Sequence, residues 1–149
     1  MADLKKIKEL RDRTGASIAL CNKALLEGEG SIEKAGELLK KWGIELADKK
    51  AGNETSQGIL ASYVHHNKKV AALVTLRCQT DFVAKNTDFQ KLGQEIAMQV
   101  ASMAPKTTEE LLKQAYIRDG KITIQDLIKE QITRLGENIT LGEFVRYTI

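Results

Sequence analysis

A chain of 149 residues, 42% hydrophobic and 29% charged, with one proline and no repetitive tract, fits one folded domain or two small ones and excludes extended disorder. The net charge of +3, from 23 basic and 20 acidic residues, is too slight to demand a nucleic-acid partner. No apolar run approaches the ~18 residues of a membrane span, and Met1-Ala2-Asp3-Leu4-Lys5-Lys6 has no signal-peptide core. Aromatic residues are only 5%, so aliphatic side chains must build most of the core. Cys21 and Cys78 are far apart and lack metal-type or redox-type neighbours, so two buried free thiols in a reducing cytosol are expected.

In chain order, Leu4, Ile7 and Leu10 recur at helical spacing until Thr14-Gly15 stops the first helix. A second helix puts Ile18, Cys21 and Leu25 on one face and ends at Gly28. Ser31 is a natural N-cap for a third, which presents Ile32, Ala35, Leu38, Leu39 and Trp42 and is expected to break at Gly43. Three short amphipathic helices joined by tight turns bury their apolar stripes only against one another. Residues 1–51 therefore form a three-helix bundle, and the small, polar, aperiodic stretch 52–57 reads as a linker.

Beyond it the periodicity changes. Gly58 to His66 and Val70 to Cys78 are β-rich runs around the turn Asn67-Lys68-Lys69. In the second run Ala72, Val74 and Leu76 share one face, which is expected to be buried. His65-His66 reads as the end of a hairpin: adjacent strand residues face opposite ways, so the pair is not expected to chelate one ion. Thr80-Asp81 offers helix-capping oxygens. The helix that follows, to Met103, carries Phe89, Leu92, Ile96 and Val100 inward and Gln90, Lys91, Gln94 and Gln99 outward. Pro105 prevents its extension. Thr107-Thr108-Glu109-Glu110 opens a short helix through Tyr116, Asp119-Gly120 reads as a turn, and Ile124 to Leu135 is another amphipathic helix. Ile139 to Ile149 alternates as a last strand that should pair with one hairpin edge. The fold class is therefore α+β: a helical bundle, then a core at 58–149 of antiparallel sheet packed with helices.

Phe82 is an aromatic ring at a turn where little of the chain can cover it; on the residues alone, the bland reading is that it tucks back as an ordinary core or staple residue. The segment Arg77-Cys78-Gln79-Thr80-Asp81-Phe82-Val83-Ala84-Lys85-Asn86 closely resembles a signature of the elongation factor Ts family, the guanine-nucleotide exchange factors of elongation factor Tu. Two further stretches carry the same resemblance in the family's order: Leu10-Arg11-Asp12-Arg13-Thr14-Gly15-Ala16 continuing to Cys21-Asn22-Lys23-Ala24-Leu25, and Leu135-Gly136-Glu137-Asn138-Ile139.

The resemblance implies a bundle of the ubiquitin-associated type that docks on the nucleotide-binding domain of elongation factor Tu. Carried over by position, Arg11, Ile18, Ala19 and Lys23 would make that contact, although helical spacing alone also allows Ile18 to be plain core. It implies that Thr80, Asp81, Phe82 and Val83 form a wedge directed at the partner's magnesium site, promoting GDP release without covalent chemistry, cofactor or metal of its own. Elongation factor Tu, GDP-bound and nucleotide-free, would be the partner. The absence of a GxxxxGK[ST] loop argues against direct nucleotide binding.

The chain also departs from the family pattern. Asn22-Lys23 stands where many members have two lysines, and Leu141-Gly142-Glu143 where relatives often place arginines. The region between Met103 and Leu135 is compressed, and a second core subdomain common in relatives is missing. Short members resembling this one form two-fold dimers, so a homodimer through the core is implied. The absent transit peptide points to a bacterial cytoplasm or an already processed chain. Two other readings compete: a peptide- or ubiquitin-binding module using the bundle, distinguishable by pull-down, and a ribosome- or RNA-associated protein, whose binding would fall steeply with salt.

Overall fold

The structure is a computed structural model describing residues 1–149. The chain divides into two compact units, Met1–Lys49 and Lys50–Ile149.

The first unit is built from α1 (Leu4–Thr14), α2 (Ile18–Glu27) and α3 (Ile32–Lys50). Asp3 caps α1 by accepting from Lys5 N–H, and Ser17 caps α2 by accepting from Leu20 N–H. Gly15 closes α1 in the left-handed region, its N–H donating to the Arg11 carbonyl. Ile7, Leu10, Cys21, Ala24, Leu25, Ala35 and Leu39 form the buried core, with Ile32, Leu38 and Trp42 packed against it. Gly43 does not break α3, contrary to the sequence expectation. Ala35, Leu39, Gly43 and Ala47 are all buried, one at every fourth residue, so the inward stripe continues through the glycine. A propensity penalty of ~1 kcal/mol is too small to end such a helix.

In the second unit β1 (Gln57–Val64) and β2 (Val70–Cys78) form the hairpin. They are followed by α4 (Asp81–Ala84), α5 (Thr87–Met103), α6 (Thr108–Lys113), β3 (Ala115–Tyr116), β4 (Asp119–Thr123), α7 (Ile124–Leu135) and β5 (Ile139–Thr148). The main sheet has the order β1-β2-β5, antiparallel throughout, so the last strand does join a hairpin edge. Ala72, Val74, Leu76 and Cys78 are buried on the face that α5 covers, opposite Phe89, Leu92, Ile96 and Val100. Each fully buried large apolar side chain contributes ~1.5–3 kcal/mol. Helix and sheet approach closely at Gly93, where a Cβ would come within 2.9 Å of the Ala61 Cβ.

Three local expectations are corrected. Gln99 faces inward and is fully buried. Its amide nitrogen donates to the Ala115 carbonyl at 3.0 Å, and its oxygen accepts from Ile117 N–H at 3.0 Å. The buried amide thus finds partners in the backbone of β3 and of the turn that follows it. Tyr116 lies in β3 rather than at the end of α6, and it pairs with Asp119, so the turn is Ile117-Arg118 rather than Asp119-Gly120. The rings of His65 and His66 have centroids 4.1 Å apart instead of facing opposite ways. β1 has ended by His65, so the strand alternation no longer applies. Tyr63 Oη and His65 Nδ1 are hydrogen-bonded at 2.9 Å.

The stretch after α3 is held against its own unit. Asn138 Nδ2 donates to the Asn53 carbonyl at 2.9 Å and to that of Ala51 at 3.4 Å, and the Thr55 and Thr140 hydroxyls are bonded at 2.7 Å.

Candidate functional site

At the end of β2 the chain turns out of the sheet into α4, a single helical turn. Thr80 is its N-cap, with extended backbone and a hydroxyl that accepts from Val83 N–H. Asp81 sits in the first turn, favourable for a carboxylate. It pairs with Lys85 at 2.7 Å, and the hydrogen bond and charge of Asp81 raise the Lys85 pKa. Both side chains are exposed, so the pair adds little to stability.

Phe82 is 88% exposed, whereas the next residue is anchored. Val83 is 9% exposed and Ala84 is buried. Of the four residues expected to meet a partner here, Val83 is the one whose side chain is buried, facing this protein's own core and securing the loop from beneath. Thr80 is half-buried, and Asp81 and Phe82 form the outward part.

The loop is also tied to a distant part of the chain. Glu137 Oε1 accepts from the Gln79 and Thr80 N–H groups at 3.1 and 2.9 Å, and its Oε2 accepts from the Thr80 hydroxyl at 2.6 Å. Gln79 Oε1 accepts from Asn138 N–H at 2.7 Å and from Asn53 Nδ2 at 3.3 Å. Gly136, left-handed with φ 77°, turns the chain off α7 just before these residues. Sequence reasoning assigned Gln79, Glu137 and Asn138 no role at the loop. The only signal was that they stand in the two stretches carrying the family resemblance. Cys78 Sγ donates to the Thr80 carbonyl at 3.2 Å. Burial, then the Glu137 charge, raises the Cys78 thiol pKa, which disfavours the thiolate.

The second group of candidates lies on the three-helix unit. Arg11 on α1, and Ile18, Ala19 and Lys23 on α2, are all exposed. Ile18 does not share the fate of Cys21 and Leu25: it is 56% exposed while they are fully buried. As the first residue of α2 it lies beyond the end of the packed stripe. Lys23 Nζ lies 4.7 Å above the centre of the Trp42 ring, where a cation is attracted to the aromatic face. Burial raises the Cys21 thiol pKa, partly opposed by its hydrogen bond with Thr14 and the charge of Arg11. No three His, Cys, Asp or Glu side chains are grouped to hold a metal ion, and no helix is long and apolar enough to cross a membrane.

The family model described as "Elongation factor TS" matches residues 79–149. The elongation factor Ts of Thermosipho melanesiensis is 40% identical over 194 aligned positions, covering all of this chain and 99% of that protein. Because this chain has only 149 residues, the relative carries residues that this one lacks. The Fervidobacterium nodosum protein of the same name is 39% identical, with 96% of this chain and 95% of that one covered. Against elongation factor Ts of Clostridium botulinum strain Alaska E43 the identity is 42% over the whole chain, which spans 48% of that longer protein. With similarity running through both units and along nearly the full length of two relatives, the chain belongs to the elongation factor Ts family.

Proposed function

We propose that this translation elongation factor acts as a guanine-nucleotide exchange factor, binding elongation factor Tu in its GDP form and holding the nucleotide-free form more tightly. Linkage then requires that binding weaken GDP by the same factor. The observation that carries the reading is the 88% exposure of Phe82 on a loop otherwise fixed from beneath. A large apolar ring held in water is explained by a partner that covers it.

In this reading Phe82 enters beside the partner's magnesium site, with Thr80 and Asp81 setting its direction. Displacing the metal removes the main counter-charge on the nucleotide phosphates, and GDP leaves. The bundle of residues 1–51 binds the partner's nucleotide-binding domain through Arg11, Ile18, Ala19 and Lys23, and the core at 58–149 delivers the wedge. The factor contributes binding energy and performs no bond chemistry. A bacterial cytoplasmic location belongs to the same reading.

A homodimer through the core is part of the proposal, supported by the uncovered face of the sheet. Leu60 is 69% and Tyr147 71% exposed, and Val64, Leu73 and Val145 are exposed as well. The strand registers put all of them on the side away from α5.

Release of a fluorescent GDP from elongation factor Tu tests the mechanism. Wild-type protein should accelerate it and Phe82→Ala should lose most of that acceleration. Equal rates for the two would refute the wedge.

A further inference from the structure

A four-residue helix does not hold itself in shape, because forming its first turn fixes several dihedrals for one hydrogen bond. The direction of Phe82 must therefore be set from outside α4. Val83 and Ala84 fix its underside, Asn53 and Cys78 each add one bond to the residues before it, and a further anchor comes from the far end of the chain.

The pairing of β2 with β5 ends with Arg77 opposite Thr140 and Cys78 opposite Ile139. Continued beyond the last pair, that register places residue 80 opposite residue 137. Backbone pairing has stopped there, and the Glu137 carboxylate takes over. It accepts both N–H groups that the ladder leaves free, those of Gln79 and Thr80, and also the Thr80 hydroxyl proton. With its proton given to Glu137, that hydroxyl has a lone pair available for Val83 N–H. One carboxylate thus fixes backbone and rotamer of the N-cap two residues before Phe82. The reciprocal bond from Asn138 N–H to Gln79 Oε1 locks the two strand ends in register.

We propose that Glu137 is the positioning residue of the exchange loop, holding Phe82 ready before the partner arrives. The inference rests on the wedge reading of Phe82. Ordering the ring in advance removes an entropic penalty from the step in which it enters the partner.

The test uses the full chain with Glu137→Gln, Phe82→Ala and the double variant, and elongation factor Tu loaded with fluorescent GDP. Glutamine keeps the shape and one acceptor oxygen but cannot also take the Thr80 proton on its amide nitrogen. At saturating factor, Glu137→Gln should slow GDP release about tenfold, the loss expected when charge-assisted bonds are weakened. The half-saturating concentration should stay unchanged, because the bundle contacts are untouched. In the Phe82→Ala background the same change should have no further effect. Amide hydrogen exchange at Gln79 and Thr80, measured well below the melting temperature, should accelerate in Glu137→Gln while the β2 and α5 amides stay protected.

If Glu137→Gln releases GDP at the wild-type rate while Phe82→Ala does not, or slows it equally with and without the ring, Glu137 does not position Phe82. Unchanged exchange at Gln79 and Thr80 would also overturn the proposal. If Phe82→Ala itself matches wild type, the wedge reading fails and this inference falls with it.

Discussion

Phe82 and Val83 are neighbours in sequence and face opposite ways, the first into solvent and the second into the core of its own unit. One short turn thereby separates what is displayed from what holds the display in place. Phe82→Ala removes almost no buried area, so its melting temperature should match wild type, and its stability should stay within ~0.5 kcal/mol. Val83→Ala should cost roughly 1–2 kcal/mol through lost burial. Thermal and urea melts of the two variants check this. A Phe82→Ala variant as destabilised as Val83→Ala would mean that the ring packs inward in solution.

Gln99 is a fully buried polar group of the second unit. It satisfies the Ile117 N–H and the Ala115 carbonyl at the base of the β3–β4 hairpin. Replacement by methionine keeps the volume and strands both groups, at ~1–3 kcal/mol for each one left unsatisfied. We expect Gln99→Met to lower stability by about 2–4 kcal/mol and to speed hydrogen exchange at the Ile117 amide. A methionine variant as stable as wild type would show that solvent reaches those groups.

How far these features could be read in advance depended on the range of the signal. The stripes through Ile7 and Leu10, through Ala72, Val74 and Leu76, and through Phe89 to Val100 are local, and their residues are buried as the periodicity requires. Capping at Thr80 is also local. The inward turn of Gln99 is not, because its backbone partners lie up to 18 residues away and nothing within α5 announces them. Glu137 and Thr80 are separated by 57 positions, so their bond follows only once the β2–β5 register is known. Ile18 was ambiguous for another reason: helical spacing assigns a face but not where the packing partner ends. At Ala115-Tyr116 two residues are too few to show alternation, and an adjacent helix pattern absorbed them.

The uncovered face of the sheet gives a prediction about assembly. Leu73 lies on the central strand, where the registers place Ser62 on one side and Val145 on the other. A carboxylate there would be desolvated by a second copy but tolerated in a monomer. Wild-type protein should sediment as a dimer, and Leu73→Glu should sediment as a monomer with unchanged circular dichroism. Wild-type protein that remains monomeric at high micromolar concentration would rule out the proposed dimer.

Tyr116 gives the stability an alkaline limit. Burial, followed by its hydrogen bond to Glu95 at 2.7 Å, pushes its pKa up to about 12; Arg118 pairs with the same carboxylate at 2.6 Å. The free phenol titrates near 10. The folded chain therefore keeps its proton over a range in which the unfolded chain has lost it. A raised folded pKa contributes stability that is fully present below pH ~10 and is lost as the pH climbs toward ~12. Tyr116→Phe has no such proton to lose. The variant should be less stable than wild type near neutral pH by about 1 kcal/mol, through loss of the hydrogen bond. That difference should shrink as denaturant melts are repeated at rising pH through this window. Subtracting the two curves cancels the lysine titrations that both proteins share. A difference that stays constant with pH would mean that Tyr116 ionises as freely in the folded chain as in the unfolded one.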